Sequence, residues 1–241
     1  MQQHLLSNLP PPRPVSFSRN VANANSTCIT QYSYFYWQNS QGVVSSENDG
    51  QGFEQATLVD VDAEPSTNTS MALTYSGTLN GDTEAILRRS LNLFYRTTKS
   101  GLVQLRIGNG VYLPQYVGRD IGPKTNIAAF STGFNESDPS DNPTPLGFQV
   151  LSIDPDQGDG VQLSYLKDAQ WTVLADEVAD LSDCKAKATM AVNRAQHLYC
   201  LVDTGGDNGV KIVEWSWQGD LSIPTTYSNW EKVGVLDLGL S

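Results

Sequence analysis

Apolar residues in this chain come in short bursts with a period of two, and each burst is cut off by Gly, Asn or Asp. Val210-Lys211-Ile212-Val213-Glu214-Trp215-Ser216-Trp217 and Thr57-Leu58-Val59-Asp60-Val61 alternate as strands do. Helical periodicity is nearly absent, and only residues 83–89 and 176–188 are expected to hold a turn or two of helix. The bursts also recur as a phrase: a strand of small residues, an aromatic-rich strand, a Gly-containing turn and a third strand. The first copy is 27–32, then Tyr34-Phe35-Tyr36-Trp37, Gly42 and Val43-Val44. The second is 70–75, 91–95, Gly101 and 102–105; the third is 126–130, 147–151, Gly160 and 161–165. The fourth is 189–192, 197–201, Gly209 and 210–217, and fourth strands stand out at 170–174 and 229–234.

Repeats of short strands at periods of roughly 40 to 60 residues predict an all-β chain folded as a β-propeller. The expected architecture is four blades of four antiparallel strands, with five blades as the alternative count. Residues 25–241 then form a single propeller domain. The Pro-rich leader, residues 1–24, either lies across the ring or closes it as the edge strand of an incomplete fifth blade. Residues 78–89 and 137–145 fall between the first and second strands of neighbouring repeats, so extended loops are expected on one rim of the disc.

A net charge of −11 argues against nucleic acid and against an anionic membrane surface, because no Lys/Arg stripe is present to meet phosphates. No apolar run approaches the ~20 residues of a membrane-spanning helix. Three sequons, at Asn25, Asn68 and Asn135, fit a secreted glycoprotein, although composition alone yields roughly that number. Three cysteines allow one disulfide and one spare thiol. Cys28 opens the first repeat and Cys184 belongs to the last, and those are neighbours in a closed ring. A Cys28–Cys184 bond is therefore expected to lock the ring in an oxidising compartment, the alternative being buried free thiols.

The chemistry-bearing motifs are few. Asp154-Pro155-Asp156-Gln157-Gly158-Asp159-Gly160 and Asp203-Thr204-Gly205-Gly206-Asp207-Asn208-Gly209 resemble calcium loops, but both sit at a hairpin position where Asp-Gly and Asn-Gly are favoured for backbone reasons. No metal site and no cofactor are expected. His197 is the one imidazole on a predicted strand. Tyr34, Tyr36, Trp37, Phe94, Tyr95, Tyr165, Tyr199, Trp215 and Trp217 gather on the middle strands, where most serve blade packing and those near strand ends can floor a pocket.

The repeated phrase, an aromatic strand, a Gly, then an apolar strand bearing an occasional Glu and a Trp, resembles the fungal fucose-binding lectins, which are six-bladed propellers. That resemblance implies an inter-blade sugar site with an Arg at the head of the second strand, a Glu on the third and a Trp or Tyr nearby. In this chain the Arg position falls on Tyr34, Asn92, Gly147 and His197, and the Glu survives as Glu214. In fold and size the chain is also similar to the lectin-like hetero-Diels–Alderases of fungal tropolone-sesquiterpenoid pathways. That likeness implies a small-molecule-binding propeller that templates a cofactor-independent pericyclic reaction between an o-quinone methide and an alkene. On that reading His197 or Arg106 is the polarising donor, Tyr34 and Asn92 orient the ligand, Glu214 and Tyr165 line the site, and Trp217 is a stacking wall. The competing expectation is a non-catalytic, carbohydrate-binding or secreted interaction module. The expected partner is accordingly an apolar or aromatic small molecule or a glycan.

Overall fold

The computed structural model describes residues 15–22, 29–39, 42–48, 53–59, 63–66, 69–76, 90–108, 111–132, 147–158, 160–185, 188–193, 195–203 and 210–237. They form four four-stranded antiparallel meanders. Blade 1 is β1 (Val15–Ala22), β2 (Ile29–Asn39), β3 (Gly42–Asn48) and β4 (Thr57–Leu58). Blade 2 is β5 (Met71–Ser76), β6 (Ser90–Arg96), β7 (Gly101–Gly108) and β8 (Val111–Asp120). Blade 3 is β9 (Asn126–Thr132), β10 (Gly147–Ile153), β11 (Gln162–Lys167) and β12 (Gln170–Glu177). Blade 4 is β13 (Thr189–Val192), β14 (His197–Asp203), β15 (Val210–Trp217) and β16 (Trp230–Asp237).

Turn chemistry sets the meander locally. Asp168 and Ala169 both take positive φ, 50° and 63°, between β11 and β12, which is the two-residue turn that matches strand twist. Register shifts fall in the outer pair of blades 2, 3 and 4, at Gly101/Val103, Gln162/Ser164 and Glu214/Trp215. Bulges there add the twist that the outer rim of a blade needs.

The blades are held together by side chains between sheets. Every residue of β10 is buried, so this sheet is covered on both faces. On one face Phe148 and Val150 join Ala72, Phe94, Leu102, Val117 and Ile127, filling the space between blades 2 and 3. On the other, Leu151 and Ile153 join Leu198, Cys200, Trp215, Trp217 and Trp230 of blade 4. Blades 1 and 2 meet through Tyr36, Val43, Val59, Leu93, Tyr95 and Leu105. Polar ties reinforce the packing on both sides of blade 2. Arg96 donates from Nε to the Ile121 carbonyl at 2.6 Å and from its two terminal nitrogens to Ser66 and Ser100. Between blades 2 and 3, buried Arg119 donates to Gln162 and to the Leu174 carbonyl.

The inner strands follow one another: β1 adjoins β5, β5 adjoins β9, and β9 adjoins β13. Among the described residues no comparable relation joins β13 back to β1. The four blades therefore stand as an open arc.

Two expectations change. Residues 27–32 are not the first strand of blade 1; residues from Ile29 run unbroken into the aromatic stretch as the eleven-residue β2, and Val15–Ala22 pairs with it as β1. Only Ser33 separates Tyr32 from Tyr34, and with no Gly or Pro there the strand continues. Part of the leader is thus an inner strand of blade 1 itself. The second change concerns the disulfide: Cys184 is bonded to Cys200, not to Cys28, which lies outside the described residues. The 3-10 turn Ala179–Leu181, which is the helix among the described residues of the 176–188 segment, leads to Cys184, whose Cα stands 5.9 Å from that of Cys200 on β14. This bond fastens a connection to its own blade rather than closing a ring. The loops at 78–89 and 137–145, the three sequon asparagines and most of the second Asp-rich loop lie outside the described residues.

The cross-link predicts one free thiol per unreduced, denatured chain and a proteolytic fragment joining Cys184 to Cys200. With 16 residues of separation, its removal by Cys184→Ser/Cys200→Ser should lower unfolding free energy by about 3 kcal/mol in denaturant titration. A fragment containing Cys28 linked to Cys184 would contradict the pairing.

Candidate functional site

One register recurs in all four blades. Across the second and third strands, Tyr36 faces Ser45, Phe94 faces Gln104, Gln149 faces Tyr165 and Tyr199 faces Glu214. Two residues before the first member of each pair stand Tyr34, Asn92, Gly147 and His197 on the same face. In blades 1 to 3 that face turns toward the following blade, since Tyr36, Phe94 and Leu151 belong to the cores shared with it.

In blade 4 this set carries chemistry. The His197 Nδ1 is 2.7 Å from Glu214 Oε1, and the Tyr199 hydroxyl donates to the same oxygen at 2.9 Å. Asn193 braces both partners: its Oδ1 accepts from the His197 backbone N–H at 3.0 Å and its Nδ2 lies 3.3 Å from the Tyr199 hydroxyl. The hydrogen bonds from His197 and then Tyr199 hold the Glu214 carboxyl below its ordinary range. The bond to Glu214 pushes the Tyr199 phenol up. Glu214 is therefore an anionic acceptor with two fixed donors on Oε1, while Oε2 carries no partner among the described residues. The His197 and Glu214 side chains are 31% and 29% exposed, and among the described residues no blade faces them. An imidazole, a carboxylate and a phenol at one rim set hydrogen-bond donors beside an anionic acceptor.

The same position in blade 2 is a neutral copy: the Gln104 amide donates to Asn92 Oδ1 at 2.9 Å, and Phe94 replaces the tyrosine. It is sealed by blade 3, whose Phe148 and Trp171 pack edge-on against Phe94 at 6.2 and 5.9 Å. In blade 3, Gln149 is fully buried and its amide has no partner among the described residues. It sits in the sheet between Phe130 and Tyr165.

The residues singled out from the sequence separate accordingly. His197 and Glu214 meet. Arg106 is exposed on β7, the Cα partner of Asn92, and so belongs to blade 2, with blade 3 between it and His197. Tyr34 lies on β2 opposite Glu47, and its side chain is outside the described residues. Tyr165 packs edge-on against Tyr227 at 4.9 Å rather than beside His197. Trp217 is not a stacking wall for this site. It lies on the opposite face from Glu214, packs against Phe130 at 5.9 Å and donates from Nε1 to the Tyr227 carbonyl. Strand alternation explains this, since residues 214 and 217 differ by an odd number. Tyr199 and Asn193 were missed as site residues, although the i+2 spacing from His197 carried the signal for Tyr199.

Two further features bear on chemistry. The Asp154 carboxylate accepts from the Gly122 and Asp156 backbone N–H groups at 2.7 and 3.1 Å, a turn-building role. On the arc's axis lies a cavity of about 170 Å³ lined by Met71, Ala72 and Leu73, Ile127, Ala128 and Ala129, and Met190, Ala191 and Val192.

No family model matches the chain, and no curated protein matches it. Solved structures do. A fucose-specific lectin from Aleuria aurantia aligns over 92% of this chain with TM-score 0.61 and 14% identity. It is described as a six-bladed β-propeller with a novel fucose recognition mode. AofleA from Arthrobotrys oligospora aligns over 97% with TM-score 0.57 and 13% identity, and SapL1 lectin in complex with α-methyl fucoside aligns over 91% with TM-score 0.52 and 15% identity. The chain thus has the fold of these lectin propellers. It spans 63% of the Aleuria and AofleA lectins and 62% of SapL1, close to four blades of six.

The two faces of blade 4 should separate in mutagenesis. Trp217→Ala is expected to cost about 3–5 kcal/mol of stability, whereas Glu214→Gln on the open face should leave the denaturation midpoint nearly unchanged. A large loss from Glu214→Gln would make that cluster part of the core.

Proposed function

We propose that the protein is a carbohydrate-binding propeller whose working site is the His197–Tyr199–Glu214 cluster. The observation that carries this reading is the 2.7 Å His197–Glu214 pair, at the repeat position where the resemblance to fucose lectins put a cation and a Glu. The fold likeness to lectins solved with fucosides supports it. Here an imidazole stands in place of the guanidinium, so the site offers fewer donors and a shorter reach than a bidentate arginine. Glu214 accepts from sugar hydroxyls, His197, whose Nδ1–H is held by Glu214, presents Nε2 to a hydroxyl, and Tyr199 holds the carboxylate in place. The surplus of acidic residues favours neutral over anionic glycans. The Cys184–Cys200 bond fits an oxidising, secretory setting.

The cycloaddition reading asks for two apolar reactants held beside a polar donor. Neither His197 nor Arg106 lines the axial cavity, and Trp217 is spent on the core. The glycan reading is therefore preferred.

A glycan array followed by calorimetry tests it. Binding to a neutral glycan should be competed by the free sugar, and Glu214→Gln or His197→Ala should weaken it about 10- to 100-fold, the range expected for a hydrogen bond to a charged group. Absence of glycan binding, or binding untouched by both substitutions, would remove the assignment.

The pH dependence has a definite sign. Glu214 acts ionised and its carboxyl is held below its ordinary range, so binding should persist as pH falls through that range and fade only below it. Fading within the ordinary carboxylate range would mean that the His197 and Tyr199 hydrogen bonds are absent in solution.

A further inference from the structure

Each seam of the arc joins an outgoing face, bearing the recurring register, to the incoming face of the next blade. Among the described residues, one face of each kind has no blade facing it. The uncovered outgoing face belongs to blade 4. There Leu201, Ile212 and Leu236 form a cross-strand apolar row beside Tyr199 and Glu214, with Leu201 39% and Leu236 60% exposed. The uncovered incoming face belongs to blade 1, on the side of β2 opposite Tyr36. Phe35 and Phe53 pair edge-on there at 4.9 Å, with Phe53 58% and Leu58 53% exposed.

The seam between blades 2 and 3 shows how such faces fit. Phe94 of the outgoing register meets Phe148 of the incoming face. By position in the repeat, Tyr199 corresponds to Phe94, and Phe35 corresponds to Phe148: each of the latter directly precedes the register residue of its own blade, Tyr36 and Gln149. An aromatic residue thus stands at each end of the arc, in the two places that Phe94 and Phe148 fill at the seam between blades 2 and 3.

We infer that the outgoing face of blade 4 docks the incoming face of blade 1 of a second copy of this chain. The contact continues the seams already present, bringing Phe35 of one copy against Tyr199 of the other and walling the His197–Glu214 site, which is otherwise half open. Such an interface is heterologous, and growth stays open-ended unless the rotation between copies closes it. The association does not depend on the sugar reading and is measured with no sugar present.

Two surface substitutions, one per face, test the inference. Wild type, Leu236→Arg, Phe53→Arg and an equimolar mixture of the two variants are compared by sedimentation velocity over a range of concentrations, with circular dichroism confirming that each is folded. Wild type should grow beyond dimer as concentration rises, and each variant should be monomeric. Because each variant keeps one intact face, and the two kept faces are complementary, the mixture should give dimers and nothing larger. Monomeric wild type at the highest concentration, a variant that associates as wild type does, or a mixture that stays monomeric would each overturn it.

Discussion

Covering both faces of each small sheet is the constraint on which the structure rests. A four-stranded meander of this length cannot stand alone with two apolar faces in water. Here β10 is buried along its whole length because blade 2 lies on one side and blade 4 on the other. The aromatic residues are large because they must span the gap between sheets: Phe94 to Phe148 and Trp171 across one seam, Phe130 to Trp217 and Trp230 across the next.

That same constraint selects where function can sit. Four blades repeat one register, but in the second and third it is sealed by the next blade and filled with Asn92, Gln104, Phe94 and Gln149. Burial in those seams disfavours charge, so a neutral amide pair stands where blade 4 has an imidazole and a carboxylate. Only where water reaches the face does a Glu appear, stabilised as an anion by two neighbouring donors. Solvent access and chemistry therefore coincide at one end of the arc. Among the described residues, the open end of the arc and the His197–Tyr199–Glu214 cluster share the same face of blade 4.

Much of the fold was legible because strand alternation and Gly turns are local. The middle strands at 91–95, 147–151 and 197–201 and the fourth strands after Gln170 and Asn229 could be read directly. Blade 1 was harder. The run from Ile29 to Asn39 contains no breaker, so one long strand read as two, and the true first strand, Val15–Ala22, was hidden behind the Pro-rich leader. The disulfide went astray because its logic assumed a closed ring, whereas proximity within blade 4 decided the partner. Of the cluster, the meeting of His197 and Glu214 follows from their places in the repeat. Trp217 was misplaced for lack of parity: three residues from Glu214 along a strand is the other face. Asn193 sits on a connection whose hydrogen bonds to the His197 backbone N–H and the Tyr199 hydroxyl no pattern announces.

The most direct test of the account is a crystal structure of the protein with the tightest glycan ligand found by array. A sugar on the open face of blade 4, with hydroxyls hydrogen-bonded to Glu214 and to the His197 ring, is the predicted result. A sugar seated elsewhere, on the axis or in another seam, with the His197–Tyr199–Glu214 cluster untouched, would contradict it.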